Sequence, residues 1–585
     1  MMKLVDFFLS LLIPISILLH LFLSPYTKVE ESFNIQATHD ILVYATPSSN
    51  IYDRLTSTYD HFSFPGVVPR TFVGAAVLAG LTRPIFTLVS FRHGQIVVRA
   101  LLGLFNAAAL LKYRNGVERT FGIEVARWYV LLQAAQFHVL YYASRTLPNM
   151  FAFGLTTLAF REFLPLPSSA EQTLVDKRHR LGIYLFVLSG VIFRSEIAVL
   201  LFTQLLYVLV TTNCNISNII KAGLQSAVVA LLLTIPVDSY FWQKGMWPEL
   251  AGFYYNAIQG KSADWGTSPY HYYFTNGLPK LLLNPLLTFV LIPYAITLKS
   301  FRFHTGSRVA VSLTLPAMLF VAIYSLQPHK EPRFIIYVVP PLTACAALSA
   351  SHIWTRRTKN VLYGLASLAL MGSILVSFAA STGMLLISSL NYPGGEALKS
   401  VHKIIESDPS KPAHLNIHMD VLSCMTGVTR FQQIRPELIT YDKTEEAEEL
   451  LRPDFWSRFD YVLSESPETV IGKWDVVDTI YAYAGIEILK PGMQVADLYT
   501  VNNATKVEEG REQVLQSEDV REAYDDRGFS WNGDVDMVRI LGSLRNRVRA
   551  LSGGWWIGPR MKPAIYVLKK QKEALIGQSR EELIR

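Results

Sequence analysis

The chain has 585 residues, of which 50% are hydrophobic and only 17% are charged, and its mean hydropathy is positive. Soluble domains carry about 25% charged residues, so this composition excludes a wholly soluble protein and indicates an integral membrane protein. The net charge of +7 lies largely in short loops between apolar segments, which argues against nucleic acid as a partner. Only three cysteines occur, too few and too scattered for a disulfide framework or a cysteine metal site.

Apolar segments follow one another along most of the chain, and about 20 apolar residues are enough to cross the hydrocarbon core of a bilayer. The first segment follows one early lysine and lacks a small-residue cleavage site, so we interpret it as a retained signal anchor. About 11 crossings are predicted, at residues 4–24, 96–113, 123–143, 148–164, 181–194, 197–212, 219–237, 281–299, 309–326, 334–351 and 361–388.

The charges of the loops assign the two sides of the membrane, because lysine and arginine mark cytoplasmic loops. With the amino terminus in the cytoplasm, these crossings place four basic loops on the cytoplasmic side: "KYRNGVER", "DKRHR", "KSFRFHTGSR" and "RRTK". A further crossing at 71–91 would move the first two loops to the opposite face. We therefore predict that 71–91 forms a juxtamembrane helix or hairpin within the first far-side loop.

The last third of the chain differs in composition from the rest. From about residue 391, charged runs such as "DKTEEAEELLRPD" and "EGREQVLQSEDVREAYDDRG" replace the apolar segments. We predict an all-α polytopic transmembrane domain over 1–390 and a soluble α+β domain over 391–585, on the far side of the membrane.

Two adjacent carboxylates, Glu30 and Glu31, follow the first crossing in "SPYTKVEESFNIQATHDIL". A charge at mid-bilayer costs about 2.5 to 3.5 kcal/mol, so such residues lie near water or have a partner. They could simply cap a helix. The same loop also carries Asp60, His61 and Arg70, and this concentration of ionisable groups favours a general base with a supporting residue beside it.

A second group of charges lies in "QPHKEPRFIIYVVPP", between two predicted crossings. It contains His329, Lys330, Glu331 and Arg333. The two cations could snorkel to lipid headgroups, but snorkelling needs neither the histidine nor the glutamate. Cations on a stiff turn are suited to binding phosphate, and arginine matches phosphate with two parallel hydrogen bonds.

Other polar and aromatic residues lie in the remaining far-side loops. Arg145 and Asn149 belong to "SRTLPN", while Arg194 and Glu196 belong to "FRSE" and could neutralise each other. The loop "KSADWGTSPYHYYFTNGLP" is rich in aromatic rings, which could form an interfacial belt or stack against sugar rings. Its candidate residues are Trp265, Tyr270, His271, Tyr272 and Tyr273.

Seven of these motifs occur in the order found in a known family. They are "PYTKVEESFN", "DHFSFPGVVPRTF", "SRTLPN", "FRSE", "DWGTSP", "HKEPRF" and "NYPGG". By the order of these motifs, the chain resembles the dolichyl-phosphate-mannose-dependent mannosyltransferases of glycosyltransferase family 22. The resemblance extends from about residue 20 to 435. Within that family, "TKVEESFN", "FPGVVPRTF", "NYPGG" and "CMTGVTRF" are most similar to members that add an α-1,6-linked mannose to Man7GlcNAc2 on dolichyl diphosphate, giving Man8GlcNAc2.

The resemblance implies a GT-C glycosyltransferase fold in the endoplasmic reticulum membrane, with juxtamembrane helices and the catalytic acid in the first lumenal loop. It selects Glu30 as the base, with Glu31 as the alternative, and Lys330 and Arg333 as the holders of the donor phosphate. Second choices for the phosphate are His329, Arg70 and Arg145. The expected substrate contacts are Trp265, Tyr270, His271, Asp60, His61, Asn149, Arg194 and Glu331.

The implied reaction inverts the donor's β linkage and needs no metal or other cofactor. The expected partners are dolichyl phosphate mannose, the dolichyl-diphosphate-linked oligosaccharide and membrane lipid, and the expected state is a monomer. Two alternatives stay open. One is an α-1,2-mannosyltransferase of the same family, acting on lipid-linked oligosaccharide or glycosylphosphatidylinositol precursors. The other is a flippase for lipid-linked sugars, although the chain shows no internal repeat of the kind that transporters carry.

Overall fold

The computed structural model describes residues 2–166, 171–212, 214–298, 306–408, 414–493 and 537–571. The chain divides into two compact units. The first comprises Met1–Leu385 together with the short segment Thr429–Gln432, and the second comprises Leu386–Val428 and Gln433–Arg585. The first unit is helical, and the second contains the sheet.

The first unit is built from helices of very different length. Its helices are α1 (Met2–Leu23), α2 (Val29–Tyr44), α3 (Ile51–Thr58), α4 (Asp60–Ser63), α5 (Val73–Thr82), α6 (Gly94–Phe121), α7 (Ile123–Ala134), α8 (Phe137–Tyr142), α9 (Pro148–Glu162), α10 (Gln172–Ile192), α11 (Ile197–Thr211), α12 (Ile216–Trp242), α13 (Pro248–Phe253), α14 (Leu278–Leu282), α15 (Ile292–Thr297), α16 (Gly306–Tyr324), α17 (Val339–Thr355) and α18 (Val361–Ser389), the last of which continues into the second unit. Each predicted crossing falls on one or two of these helices.

By length and composition, 6 of the described helices can cross a membrane. They are Leu4–Leu23, Phe91–Phe121, Ile216–Trp242, Ser307–Tyr324, Pro332–Thr355 and Val361–Ser389. A further span is possible where Tyr273–Leu282 and Leu287–Thr297 meet at an angle of 114°. The chain is therefore a multi-pass membrane protein, and the total of about 11 crossings remains a prediction.

The apolar run at 71–91 forms α5 and a 3-10 segment, Arg83–Thr87. At about 1.5 Å per residue, a helix as short as α5 falls well short of the roughly 30 Å hydrocarbon core. The juxtamembrane assignment stays a prediction, because α11, a predicted crossing, is also a short apolar helix.

Burial differs sharply among the long helices. The segment Pro332–Thr355 is almost wholly buried, whereas Ile216–Trp242 and Val361–Ser389 leave most of their apolar surface exposed, as expected for helices that face lipid. Small residues of "TACAALSA" in α17 are buried, and they let neighbouring helices approach closely. The centre of the first unit therefore lies around α17.

The second unit contains a sheet of five described strands, together with helices. Its strands are β1 (Leu415–Met419), β2 (Ile439–Asp442), β3 (Tyr461–Ser464), β4 (Trp474–Leu489) and β5 (Trp556–Lys570), in the order β2-β1-β3-β5-β4. Strand β1 pairs in parallel with β2 and β3, and β5 pairs antiparallel with β3 and β4. The helices are α19 (Pro393–Ser407), α20 (Val421–Met425), α21 (Ala447–Leu450), α22 (Pro453–Ser457) and α23 (Met537–Leu551).

Candidate active site

The acidic pair lies in the first turn of α2, which begins at Val29. The Lys28 N–H donates to Oε1 of Glu31 at 3.2 Å, and the Glu31 N–H donates to the Lys28 carbonyl at 2.9 Å. Carboxylates are favoured at this end of a helix because unpaired N–H groups and the helix dipole both attract negative charge. Capping is thus one role of the pair, and Glu31 performs it.

Glu31 is also held by the "SRTLPN" turn. Its buried carboxylate forms an ion pair with Arg145, which in turn donates to the Ser24 hydroxyl at 3.1 Å. The Thr146 hydroxyl donates to the Glu31 carbonyl at 3.1 Å, and the Asn34 amide donates to the Thr146 carbonyl at 2.7 Å. These bonds fix the start of α2 against this turn, so Arg145 lies beside the acidic pair as a partner of Glu31.

Glu30 directly precedes Glu31 in the same turn, but its environment is different. Its side chain is 40% exposed, and its carboxylate lies 3.8 Å from Nη1 of Arg333. Arg333 donates from Nη2 to Oε1 of Glu331 at 2.7 Å. Of the two adjacent glutamates, Glu30 is the one that a ligand can reach.

Arg70 lies near Glu30 and near two other arginines, Arg194 and Arg333. The pKa of Arg70 is lowered to about 10, chiefly by burial and further by the positive charges of Arg194 and Arg333, while Glu249 and Glu30 act in the opposite direction. Among the residues that the structure describes, none forms a hydrogen bond or ion pair with the Arg70 guanidinium. A cluster of cations with one unpaired member is suited to bind an anion.

The predicted partners Arg194 and Glu196 do form an ion pair, at 2.8 Å between Nε and Oε1. The same carboxylate oxygen accepts from Asn149 at 3.3 Å and from the Tyr337 hydroxyl at 3.1 Å, and Asn149 also donates to that hydroxyl at 2.8 Å. Asn149 and Glu196 are buried. The "FRSE" and "SRTLPN" turns are therefore connected through this network.

Sequence reasoning missed Glu249, which lies in the first turn of α13 and near these arginines. Its Oε2 accepts the Ser195 N–H at 2.7 Å. Burial raises the pKa of Glu249 to about 8; the charge of Arg194 lowers it, and that of Glu196 raises it further. The available signal was a lone carboxylate in the apolar stretch "MWPELAGF", in a loop predicted to lie on the far side of the membrane.

Lys330 occupies a different position from Arg333. Its ammonium donates to the backbone carbonyls of Gln327 at 2.6 Å and Ser268 at 2.9 Å, and burial lowers its pKa. In this arrangement Lys330 joins its own turn to the aromatic loop. His329 lies 3.2 Å from Glu331 and 3.2 Å from the Gly266 carbonyl, so it also belongs to this junction.

Asp60 belongs to a buried network with two residues that sequence reasoning did not select, Asp40 and Arg430. The Asp60 N–H donates to Oδ2 of Asp40 at 2.8 Å. Arg430 forms ion pairs with Asp40 at 2.7 Å and with Asp60 at 3.5 Å, and it donates to the Thr58 carbonyl at 2.7 Å. Although burial opposes it, the charges of these two carboxylates raise the pKa of Arg430. The segment Thr429–Gln432 is thereby attached to the first loop.

His61 lies in an aromatic cluster. Its Nε2 is 2.9 Å from the Phe241 carbonyl, and its ring lies 4.8 Å from that of Phe72 and 4.9 Å from that of Trp242. Burial lowers the pKa of His61. The structure therefore places the His61 ring among aromatic rings.

The aromatic loop is largely at the surface. Trp265 is 56% exposed and Tyr270 is 52% exposed, and His271 is exposed as well. The Tyr270 hydroxyl donates to the Ala322 carbonyl at 3.1 Å. Exposed rings in this loop remain available to lipid or to sugar.

The chain has the fold of the GT-C class of glycosyltransferases. It is similar to the crystal structure of ArnT from Cupriavidus metallidurans bound to undecaprenyl phosphate, with a TM-score of 0.52 and 13% identity over 82% of this chain and 96% of that chain. Residues 7–422 match the profile of the Alg9-like mannosyltransferase family. The chain belongs to this family, and it is a membrane-embedded glycosyltransferase.

Two relatives align with this chain over most of their own length. The chain is 33% identical over 505 residues to the "Dol-P-Man:Man(7)GlcNAc(2)-PP-Dol alpha-1,6-mannosyltransferase" of Saccharomyces cerevisiae, covering 80% of this chain and 86% of that protein. It is 33% identical over 419 residues to the protein of the same name in Arabidopsis thaliana, covering 71% of this chain and 78% of that protein.

Proposed function

We propose that this chain transfers mannose from dolichyl phosphate β-D-mannose to the 6-hydroxyl of a mannose in Man7GlcNAc2 on dolichyl diphosphate. The product is Man8GlcNAc2 with a new α-1,6 linkage. The names of the similar proteins support this substrate pair. One structural observation carries the chemistry: an accessible carboxylate, Glu30, lies beside a cluster of arginines that includes the unpaired Arg70.

Glu30 is the general base in this proposal. Its carboxylate accepts the proton of the acceptor 6-hydroxyl while the hydroxyl oxygen bonds to the anomeric carbon of the donor from the face opposite the phosphate. The bond between that carbon and the phosphate oxygen breaks, so the β linkage becomes an α linkage. Glu31 is a positioning residue, since its buried pairing with Arg145 holds the first turn of α2 in place.

The arginines stabilise the leaving group. Positive charge accumulates on the anomeric carbon as the bond breaks, and negative charge accumulates on the phosphate. Arg70 and Arg333 bind the phosphate oxygens in this proposal, and the ion pair with Glu196 orients Arg194 next to them. Fixed guanidinium groups perform the role that a divalent cation plays in other transferases, so the reaction is metal-independent.

Lys330 keeps a supporting role in this scheme. Because its ammonium donates to two backbone carbonyls, it fixes the turn that carries Arg333. The exposed rings of Trp265 and Tyr270 are suited to contact the oligosaccharide or the lipid. We place the protein in the endoplasmic reticulum membrane as a monomer, with Glu30 facing the lumen.

The test is a transfer assay with the purified protein, synthetic dolichyl phosphate mannose and lipid-linked Man7GlcNAc2, followed by linkage analysis of the product. The expected product contains one additional α-1,6-linked mannose. Lipid-linked Man6GlcNAc2 and Man8GlcNAc2 are the control acceptors and are expected to react poorly. Transfer to a control acceptor in α-1,2 linkage, without transfer to Man7GlcNAc2, would contradict the proposal.

A further inference from the structure

The loop that carries Arg70 is attached to the end of α12 by hydrogen bonds at this arginine and at the two residues that follow it. The indole N–H of Trp242 donates to the Arg70 carbonyl at 3.0 Å. The next two residues, Thr71 and Phe72, both bind one carboxylate, that of Asp238. Asp238 and Trp242 lie one helical turn apart on α12, which is why they reach adjacent residues of the loop.

Asp238 is fully buried and accepts several hydrogen bonds. The Phe72 N–H donates to Oδ1 at 2.6 Å, the Thr71 hydroxyl donates to Oδ2 at 3.0 Å, and the Thr234 hydroxyl donates to Oδ2 at 2.6 Å. The hydroxyl oxygen of Thr71 also accepts the Val73 N–H at 3.1 Å, at the start of α5. A buried carboxylate needs such donors, so its position and that of the loop are determined together.

Aromatic packing reinforces the same junction. The Phe72 ring stacks on Phe241 with centroids 4.3 Å apart, and Phe33 of α2 lies parallel to Trp242 at 6.1 Å. The polar bonds and the rings thus join three elements: α2, the loop that ends at Phe72, and α12. The guanidinium of Arg70 itself has no partner among the described residues, so its position depends on its backbone.

We infer that Asp238 and Trp242 are positioning residues for donor binding, which fix the backbone around Arg70 so that its free guanidinium is held ready for the donor phosphate. This inference rests on the proposed role of Arg70. An unanchored arginine loses side-chain and backbone freedom when it binds phosphate, whereas a fixed backbone removes part of that cost in advance. Loosening the junction should therefore weaken donor binding more than it changes any other kinetic quantity.

The test compares variants that each remove one hydrogen-bonding group of the junction without deleting the carboxylate, because Asp238→Ala risks misfolding. Thr71→Val removes the hydroxyl and keeps the side-chain shape, and Trp242→Phe removes the indole N–H and keeps a ring. Each is expected to raise the KM for dolichyl phosphate mannose by about three- to tenfold, with little change in the KM for the acceptor. Thr71→Ser, which keeps the hydroxyl, should have the wild-type KM for dolichyl phosphate mannose.

Two further variants make the outcome decisive. Ser226→Ala removes a buried hydroxyl of α12 that bonds to Ala222 and Gly223 of its own helix, and it should leave both KM values unchanged. Arg70→Met should raise the donor KM more than any junction variant. If Arg70→Met raises the donor KM and Thr71→Val and Trp242→Phe lower only the melting temperature, the positioning inference is overturned. An unchanged donor KM in Arg70→Met overturns the phosphate role of Arg70 and the inference with it.

Discussion

The Arg145 guanidinium forms an ion pair with the Glu31 carboxylate, and each side chain is only 2% exposed. Glu30, one residue earlier on α2, is 40% exposed. Successive helical residues point about 100° apart, so one glutamate of the pair faces the "SRTLPN" turn and the other faces Arg333. Adjacent residues of one type can therefore carry separate roles, one in holding the helix and one in proton transfer.

Replacing Glu30 by glutamine tests the proton-transfer role. The amide keeps the shape and hydrogen bonding of the side chain but cannot accept a proton, so kcat should fall by about 10² to 10⁴. The KM for either substrate should change little, since the acceptor hydroxyl can still donate to the amide oxygen. The measurement is steady-state kinetics with purified protein.

Glu31→Gln is the matched control for this variant. Breaking a buried ion pair from one side typically costs about 3 to 5 kcal/mol, so the melting temperature should fall clearly. Turnover per folded molecule should fall by no more than about thirtyfold, the equivalent of one lost hydrogen bond. Near-normal turnover in Glu30→Gln together with collapse in Glu31→Gln would transfer the base role to Glu31.

The long apolar helices of the first unit were predictable from sequence, because a long apolar run is a local signal that needs no knowledge of partners. The acidic pair and Arg145 were also selected, each from its own motif. Their pairing was not, since 114 positions separate Glu31 from Arg145 along the chain. The roles of the two glutamates depend on that contact, which explains why sequence alone left both open as the base.

Other parts of the site could not be predicted from the sequence, for different physical reasons. The role of Lys330 in binding phosphate stays a prediction, but the bonds from its ammonium to two backbone carbonyls could not be foreseen, because a side-chain pattern does not show where carbonyls point. Glu249 lies alone among apolar residues and is brought to the arginines only by the fold. Asp238 directly follows the predicted crossing 219–237, and its partners on the loop are too far away in sequence to be foreseen.

The pH dependence of donor binding should report on Glu249. Its pKa is raised to about 8, so the carboxyl is neutral below this pH and negative above it. A negative charge near Arg70 repels the anionic donor phosphate, and the donor KM should therefore rise as the pH passes through about 8. Glu249→Gln stays neutral throughout, so this rise should be absent in that variant. A rise of equal size in both proteins would assign the titration to another group.

Metal removal tests the role proposed for the arginines. If Arg70 and Arg333 alone stabilise the leaving phosphate, activity should persist after treatment with EDTA. The control is addition of excess magnesium or manganese, which should not increase the rate. Loss of activity with EDTA and its recovery with either metal would show that a carboxylate such as Glu30 or Glu331 binds an ion during the reaction.

Glycosylation tests the topology on which the site assignment depends. Asn503 in "NNAT" lies on the predicted lumenal side and outside the described residues, whereas Asn215 in "NIS" lies on the predicted cytoplasmic side. Both match the acceptor sequence for N-glycosylation. We expect a glycan on Asn503 and none on Asn215, measured by glycosidase-sensitive mobility of Asn503→Gln and Asn215→Gln variants. A glycan on Asn215 would require a different arrangement of the crossings.

The ion pairs of Arg430 lead to a prediction about stability. Asp40 is 1% exposed and Asp60 is 8% exposed, and Arg430 is the cation that contacts both carboxylates. Arg430→Met leaves this negative charge without that cation, and the loss of one partner from a buried pair costs about 3 to 5 kcal/mol. The melting temperature of the purified protein should fall accordingly.

Two comparisons separate the loss of charge from the loss of the side chain. The pair of Arg452 and Glu449 is exposed, with side chains 60% and 43% accessible, so Arg452→Met should change the melting temperature very little. Adding Asp40→Asn to Arg430→Met removes one of the carboxylates left without its cation and should recover part of the lost stability. If Arg430→Met and Arg452→Met behave alike, or the second substitution destabilises the protein further, the ion pairs of Arg430 do not stabilise the first loop. A partial recovery would instead show that charge compensation is what attaches Thr429–Gln432 to the loop that carries Asp60.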